Sequence, residues 1–172
     1  RPLGWFSYIG GSNPGFPERA LEDTYTGICQ RLERIAADDG DPASWDVHHW
    51  QDLNPVIPEA LVQMALGTPG GIYHGGLLHT ALRYFDPLRR RPGLPEHVAA
   101  LVEQVGSDGV PLTLVNTDPL SEHEIVVQAG GFGEHLFGEC RTQSGPDAGA
   151  GALTRVDGPW LRVRLGPAAQ SR

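Results

Sequence analysis

Residues 97–116 read HVAALVEQVGSDGVPLTLVN. Two apolar runs of strand length flank Gly106-Ser107-Asp108-Gly109, and a short Gly- and Asp-containing connection between such runs is a hairpin signal. The first run, HVAALVEQV, can also be written as a short helix; the strand reading is adopted. Working outward, GLLHTALRYFD (76–86) reads as one strand, and a turn punctuated by Pro87, Pro92 and Pro95 separates it from the hairpin. Downstream, EIVVQAG (124–130), EHLFGECR (134–141), LTRV (153–156) and WLRVRL (160–165) continue the pattern, the last two set around Asp157-Gly158. Six or seven short strands with regular turn signals predict an antiparallel β-sandwich. SGPDAGAG (144–151) reads as a surface loop.

Before residue 70 the pattern is helical. Pro17 and Glu18 open a segment in which Leu21, Tyr25, Ile28, Leu32 and Ile35 recur at spacings of four, three, four and three, the period of one helix face. Acidic residues lead, Arg31 and Arg34 follow, and Asp38, Asp39 and Gly40 end the segment, the order that the helix dipole favours. A second helix is predicted from Pro58 to Leu66, stopped by Gly67, with Ile57, Leu61 and Met64 facing a core. Between the two lies WDVHHWQDLNP (45–55), which has no clean period and reads as a structured loop. The fold class expected is α+β: a helical segment, residues 1–74, packed on an antiparallel β-sandwich, residues 75–172.

Composition bounds the chemistry. The chain has 172 residues and a formal charge of -8, and all 13 of its basic residues are arginine. Such a balance offers no basic field to a polyanion, so neither nucleic acid nor an anionic membrane is an expected partner. Without lysine there is no Schiff base and no phosphate-loop lysine. Cys29 and Cys140 are expected to be reduced thiols. No apolar run is long enough to span a bilayer, and a soluble chain, cytoplasmic if anything, is expected. Two amphipathic helices without a full set of neighbours read as the end portion of a larger protein or as a homo-oligomer.

The densest constellation of functional side chains is Asp46, His48, His49, Trp50 and Asp52, with Glu59 close behind. Adjacent histidines flanked by carboxylates suit metal ligation, general acid and base work on a sugar, or a polar loop whose histidines bond backbone carbonyls. In an extended stretch Asp46, His48 and Trp50 would share one side and His49 the other. Tyr73 and His74, among Gly70, Gly71, Gly75 and Gly76, form a second candidate contact, where the backbone lets a ligand approach. Trp45 and Trp50 would stack on a sugar ring. Trp5, Phe6, Tyr8 and Phe16 suit either a sugar site or a core. His123, Glu124, Glu134, His135 and Glu139 read as solvated strand faces, and Arg89 to Arg91 as a run that faces water or an acidic neighbour.

In this order, WDVHHWQDLNP and the helix after it, then VPLTLVNTDP and EIVVQAGGFGEH, the chain resembles the C-terminal part of bacterial carbohydrate-active enzymes in which a helical toroid is followed by a β-sandwich. Several polysaccharide lyases and glycoside hydrolases are built so. The resemblance is architectural, covers most of the chain, and implies a carbohydrate-processing hydrolase or lyase, or a fragment or subunit of one, with a carbohydrate ligand. The catalytic candidates are Asp46, His48, His49, Asp52 and His74, and the substrate-binding candidates are Trp45, Trp50, Glu59 and Tyr73. No cofactor is expected, although a divalent metal on His48, His49 and His74 defines a metal-dependent alternative. The other alternative is a non-catalytic sandwich module that binds or assembles, discriminated by an exposed apolar face at Leu21, Ile28 and Leu32.

Overall fold

A computed structural model describes residues 4–68, 79–143 and 151–172. The fold is α+β, with helices in the N-terminal part and antiparallel strands after them. The helices are α1 (Gly4–Ile9), α2 (Phe16–Ala37), α3 (Val47–Leu53) and α4 (Glu59–Leu66), with a 3-10 turn at Pro42–Ser44. Among the described residues, no helix is long and apolar enough to cross a membrane.

Helix α2 starts on Pro17 and Glu18 and stops where Asp38 turns extended, close to the expected bounds. Its apolar stripe, however, is not a core face. No residue of α2 is buried, and Leu21, Tyr25, Leu32 and Ile35 are exposed, Tyr25 by 70%. The helix instead packs through the neighbouring face. A Cβ on Gly27 would lie 3.4 Å from Ile57 Cδ1, and the Arg31 guanidinium donates to the Asn54 carbonyl. Helix α4 keeps its expected span because Gly67 adopts the left-handed conformation at its C-cap. Met64 is buried as expected, but Leu61 is 56% exposed, since α4 turns Met64, Ala65 and Leu66 inward.

The strands are β1 (Leu82–Asp86), β2 (Arg91–Pro92), β3 (Val98–Val102), β4 (Leu112–Asn116), β5 (His123–Ala129), β6 (Phe137–Thr142), β7 (Ala152–Gly158), β8 (Trp160–Leu165) and β9 (Gln170–Ser171). One sheet has the order β2-β1-β5-β8, a second β3-β4-β9, and β6-β7 stand apart as a two-stranded sheet. The hairpin of residues 97–116 is present, with β3 paired to β4 from Val98↔Asn116 to Val102↔Leu112 and the connection closed by Gly106 N–H to the Gly109 carbonyl at 3.1 Å. Strand β1 starts at Leu82, later than GLLHTALRYFD suggests; residues 69–78 lie outside the described set. The two strands around Asp157-Gly158 do not pair with each other. β7 pairs with β6 and β8 with β5, the chain changing sheets at Asp157, whose φ is 49°.

The core lies between the two larger sheets. Leu82, Tyr84, Ile125, Val127 and Leu165 come from one sheet and Val98, Val102 and Leu114 from the other. Alternation along β3 explains the layering: Val98 and Val102 point into the sandwich, while Leu101 meets a second cluster built by Trp5, Tyr8 and Met64. Trp5, Tyr8 and Phe16 pack with ring centroids 5.7 to 6.0 Å apart, so this group serves a core, and only Phe6 of the four early aromatics is exposed. Among the described residues, Tyr84 Oη donates to the Ala65 carbonyl at 2.7 Å, Ala81 N–H to the Leu66 carbonyl at 3.0 Å and Val105 N–H to the Ile9 carbonyl at 3.2 Å, which ties the helical layer to the sandwich, and Trp5 Nε1 donates to the Thr68 carbonyl at 2.8 Å within the helical layer. Both cysteines are free thiols. The Arg89–Arg91 run meets acidic neighbours, Arg89 on Glu96 at 2.5 Å and Arg91 on Asp86 at 3.8 Å.

Candidate functional site

WDVHHWQDLNP is a helix with a capped entry, a correction to the loop reading. Asp41 accepts from Ala43 N–H at 3.0 Å and starts the 3-10 turn; Asp46 accepts from His49 N–H at 3.0 Å and caps α3. With helical geometry the one-sided set changes. Successive residues rotate by about 100°, so Asp46, His49, Trp50 and Leu53 share one face, while His48 and Asp52, four apart, share another that is exposed. The expected grouping of Asp46, His48 and Trp50 does not form.

The face of His49 and Trp50 closes on the end of α2. A groove of about 390 Å³ opens there, walled by Ile35, Leu53 and Pro55, with Trp45 and Trp50 as its aromatic surfaces and Asp38 and Asn54 as its polar groups. Trp45 stacks on the His49 imidazole, centroids 4.3 Å apart and planes 25° from parallel, and meets Trp50 edge-on at 5.0 Å. His49 Nε2 lies 2.8 Å from Asp38 Oδ2, and Asp38 Oδ1 accepts from Gly40 N–H at 2.9 Å. The carboxylate is fixed through Oδ1, while Oδ2 lies at ion-pair distance from a buried His49 Nε2 that makes no hydrogen bond among the described residues, and the imidazole ring is held against the Trp45 indole. A Cβ on Gly40 would come within 2.9 Å of Trp45 Nε1 and 3.0 Å of Asp38 Oδ1. Gly40 therefore lets the chain turn close under both groups.

Of the sequence candidates, Trp45, His49 and Trp50 are brought together. Asp46 is engaged in capping, His48 and Asp52 face away, and Glu59 lies in the first turn of α4. Tyr73 and His74 lie outside the described residues. Asp38, Asn54 and the apolar wall were missed: Asp38 reads as a helix terminator, and nothing local in the sequence points it at His49 eleven residues on. His48 and His49 diverge on α3, and among the described residues no group of three or more His, Cys, Asp or Glu is placed to hold a metal ion.

The strand-face acids and histidines do not gather into one site, and Glu124 lies beside Arg162 and Arg164. His123 Nε2 is 3.5 Å from Asp118 Oδ2, and Glu134 accepts from Phe132 N–H at 2.7 Å. Backbone N–H donation from Leu120, with further donation from Ser121, holds the Asp118 carboxyl down at about 2.

No curated protein and no solved structure matches the chain. Residues 2–62, which carry α1 to α3, the groove and the opening of α4 but none of the strands, are similar to a family described as a domain of unknown function (DUF8034).

Proposed function

We propose that this chain serves carbohydrate processing by holding a saccharide in the groove between α2 and α3. The observation that carries the reading is the pairing of two tryptophans on an apolar groove with a buttressed carboxylate at its edge. A sugar presents an apolar C–H face and a polar rim of hydroxyls. Trp50, 56% exposed, offers the face a surface, and Asp38 and Asn54 offer the hydroxyls acceptors and a donor. Glycoside hydrolysis calls for two carboxyl groups across the scissile bond, whereas among the described residues this lining carries the one carboxylate of Asp38. The reaction class that fits better is a proton transfer of the lyase kind, with Asp38 as the acid–base group on the groove and His49, which is not on the lining, 2.8 Å behind it.

The test is titration of the chain with neutral and acidic oligosaccharides, read by tryptophan fluorescence. Trp50→Ala is expected to weaken binding about tenfold, or ~1.4 kcal/mol, and Asp38→Asn to weaken it while leaving the melting temperature within a few degrees. Unchanged affinity in Trp50→Ala overturns the site.

A second reading, an assembly module, is favoured by α2. An apolar stripe at heptad spacing on a 22-residue helix, with Leu21, Tyr25, Leu32 and Ile35 exposed and Ile28 half-buried, is the form of a helix-pairing seam. Association of two copies through it would show as a dimer mass by light scattering, lost in Tyr25→Asp/Leu32→Asp. A monomer at all concentrations refutes it.

A further inference from the structure

The outer face of the four-stranded sheet carries a second group of functional side chains. Alternation leaves Arg83 and Phe85 of β1, Glu124 and Val126 of β5, and Trp160, Arg162 and Arg164 of β8 on the side away from the core. The register sets them in rows: Phe85, Val126 and Arg162 are cross-strand neighbours, as are Glu124 and Arg164. The Phe85 and Trp160 rings reach over β5 and meet edge to face at 5.6 Å, and the Arg83 guanidinium sits 5.2 Å from the Phe85 centroid while donating to the Gly131 carbonyl at 3.0 Å.

On the same face Arg162 Nε is 3.1 Å and Arg164 Nε 3.8 Å from one oxygen of Glu124. Glu124 Oε1 is buried and accepts a hydrogen bond from neither arginine, so the carboxylate lies near the two forks without tying them. Their side chains are 66% and 68% exposed. In a chain of charge -8, this face sets three guanidiniums against one carboxylate. Trp160, Arg162 and Arg164 alternate along one strand, so consecutive side chains stand about 6.8 Å apart.

We propose that this face binds a carboxylate-bearing polysaccharide, a polyuronate. The Arg162 and Arg164 forks would pair with carboxylates on the sugar chain, and the exposed half of Trp160, propped by Phe85, would take the apolar face of a sugar ring. Carboxylates carried one per sugar suit isolated forks separated by several ångströms. A nucleic acid, with its dense phosphates, would meet the repulsion of the whole acidic chain. This site is separate from the groove and does not rest on the reading given to it.

The experiment uses a tetragalacturonate, its methyl ester, a tetraglutamate peptide and a single-stranded oligonucleotide as probes in calorimetric titration. The acid sugar is expected to bind, its methyl ester about tenfold or more weaker, and Arg162→Gln/Arg164→Gln is expected to weaken the acid sugar by about tenfold or more. Trp160→Ala is expected to weaken the sugar several-fold and leave the glutamate peptide unchanged. Trp50→Ala in the groove is expected to leave this binding intact, so the two sites fail or stand separately. Absence of tetragalacturonate binding at about 10 mM, equal affinity for acid and ester, insensitivity to the arginine pair, or tighter binding of the peptide or oligonucleotide each overturns the proposal. Melting curves of the variants that match the native chain within a few degrees show that the loss is one of binding.

Discussion

Substituting Gly67→Ala tests how the helical layer is fixed to the sandwich. Gly67 ends α4 with φ 63°, and an added Cβ would lie 2.9 Å from Val102 Cγ1 and 3.1 Å from Ala81 Cβ. Val102 is fully buried in the sandwich core, so it has nowhere to move. Two costs add. The left-handed backbone costs a non-glycine residue about 1–2 kcal/mol, and overfilling a packed core costs roughly 1–3 kcal/mol more. The expected loss is about 2–5 kcal/mol, a fall in melting temperature of about 5–15 °C for a domain of this size. Gly11→Ala separates the two costs, because Gly11 has φ 83° with nothing within 4 Å; it bears the torsional cost alone. Equilibrium urea unfolding of both variants, with slopes compared to check that the transition stays the same, reads the difference. If Gly67→Ala loses no more than Gly11→Ala, α4 is not wedged against Val102 and Ala81, and the account of the layer's attachment fails.

Two further predictions concern the turn after β4. Asn116 is 1% exposed, and its Nδ2 donates to the Ser121 and Gly166 carbonyls at 2.8 Å each while Oδ1 accepts from Asp118 N–H at 2.9 Å. Asn116→Ala leaves the partly buried Ser121 and Gly166 carbonyls without their donor and is expected to lose about 2–4 kcal/mol in chemical unfolding, whereas a loss under about 1 kcal/mol would show that the network is not what holds the turn. Asp118, held down from an ordinary 3.8 to about 2, binds its proton less readily folded than unfolded. Its stabilisation is therefore complete above the ordinary value and is lost as the pH falls through the folded one. The stability gap between the native chain and Asp118→Asn should be constant at neutral pH and close between about pH 4 and pH 2; a gap that stays constant down to pH 2 contradicts the assignment.

The elements most legible in the sequence are those whose evidence is local. The α2 period, the glycine stop at Gly67 and the turn at Gly106–Gly109 each lie within a few residues of the structure they specify, and the α+β order follows from them. Coverage is not local. The 4-3-4-3 spacing aligns Leu21, Tyr25, Ile28, Leu32 and Ile35 on one stripe, but a period says nothing about which neighbour meets the stripe, and here the contact falls on the face of Gly27 and Arg31. Strands β2 and β9, two residues each, carry no pattern at all; they exist because a paired edge satisfies backbone groups that a longer strand has already placed.

The site shows the same division in one short stretch. Seven residues make two turns of helix, too few for a period to stand out, so WDVHHWQDLNP reads as a loop unless Asp46 is taken as a cap. That one choice reassigns every side chain. Neighbours in the sequence, His48 and His49, separate by about 100° around the axis, while Asp38 and His49, eleven positions apart, come to 2.8 Å. The turn that returns the chain from α2 to α3 makes this possible. It needs the Asp41 cap and the absence of a side chain at Gly40, where a Cβ would press on both Trp45 and Asp38. Gly40 is thus as much a determinant of the groove as the tryptophans that line it, and the proposed acid–base role rests on Asp38, set by this turn, rather than on the run of histidines and aspartates.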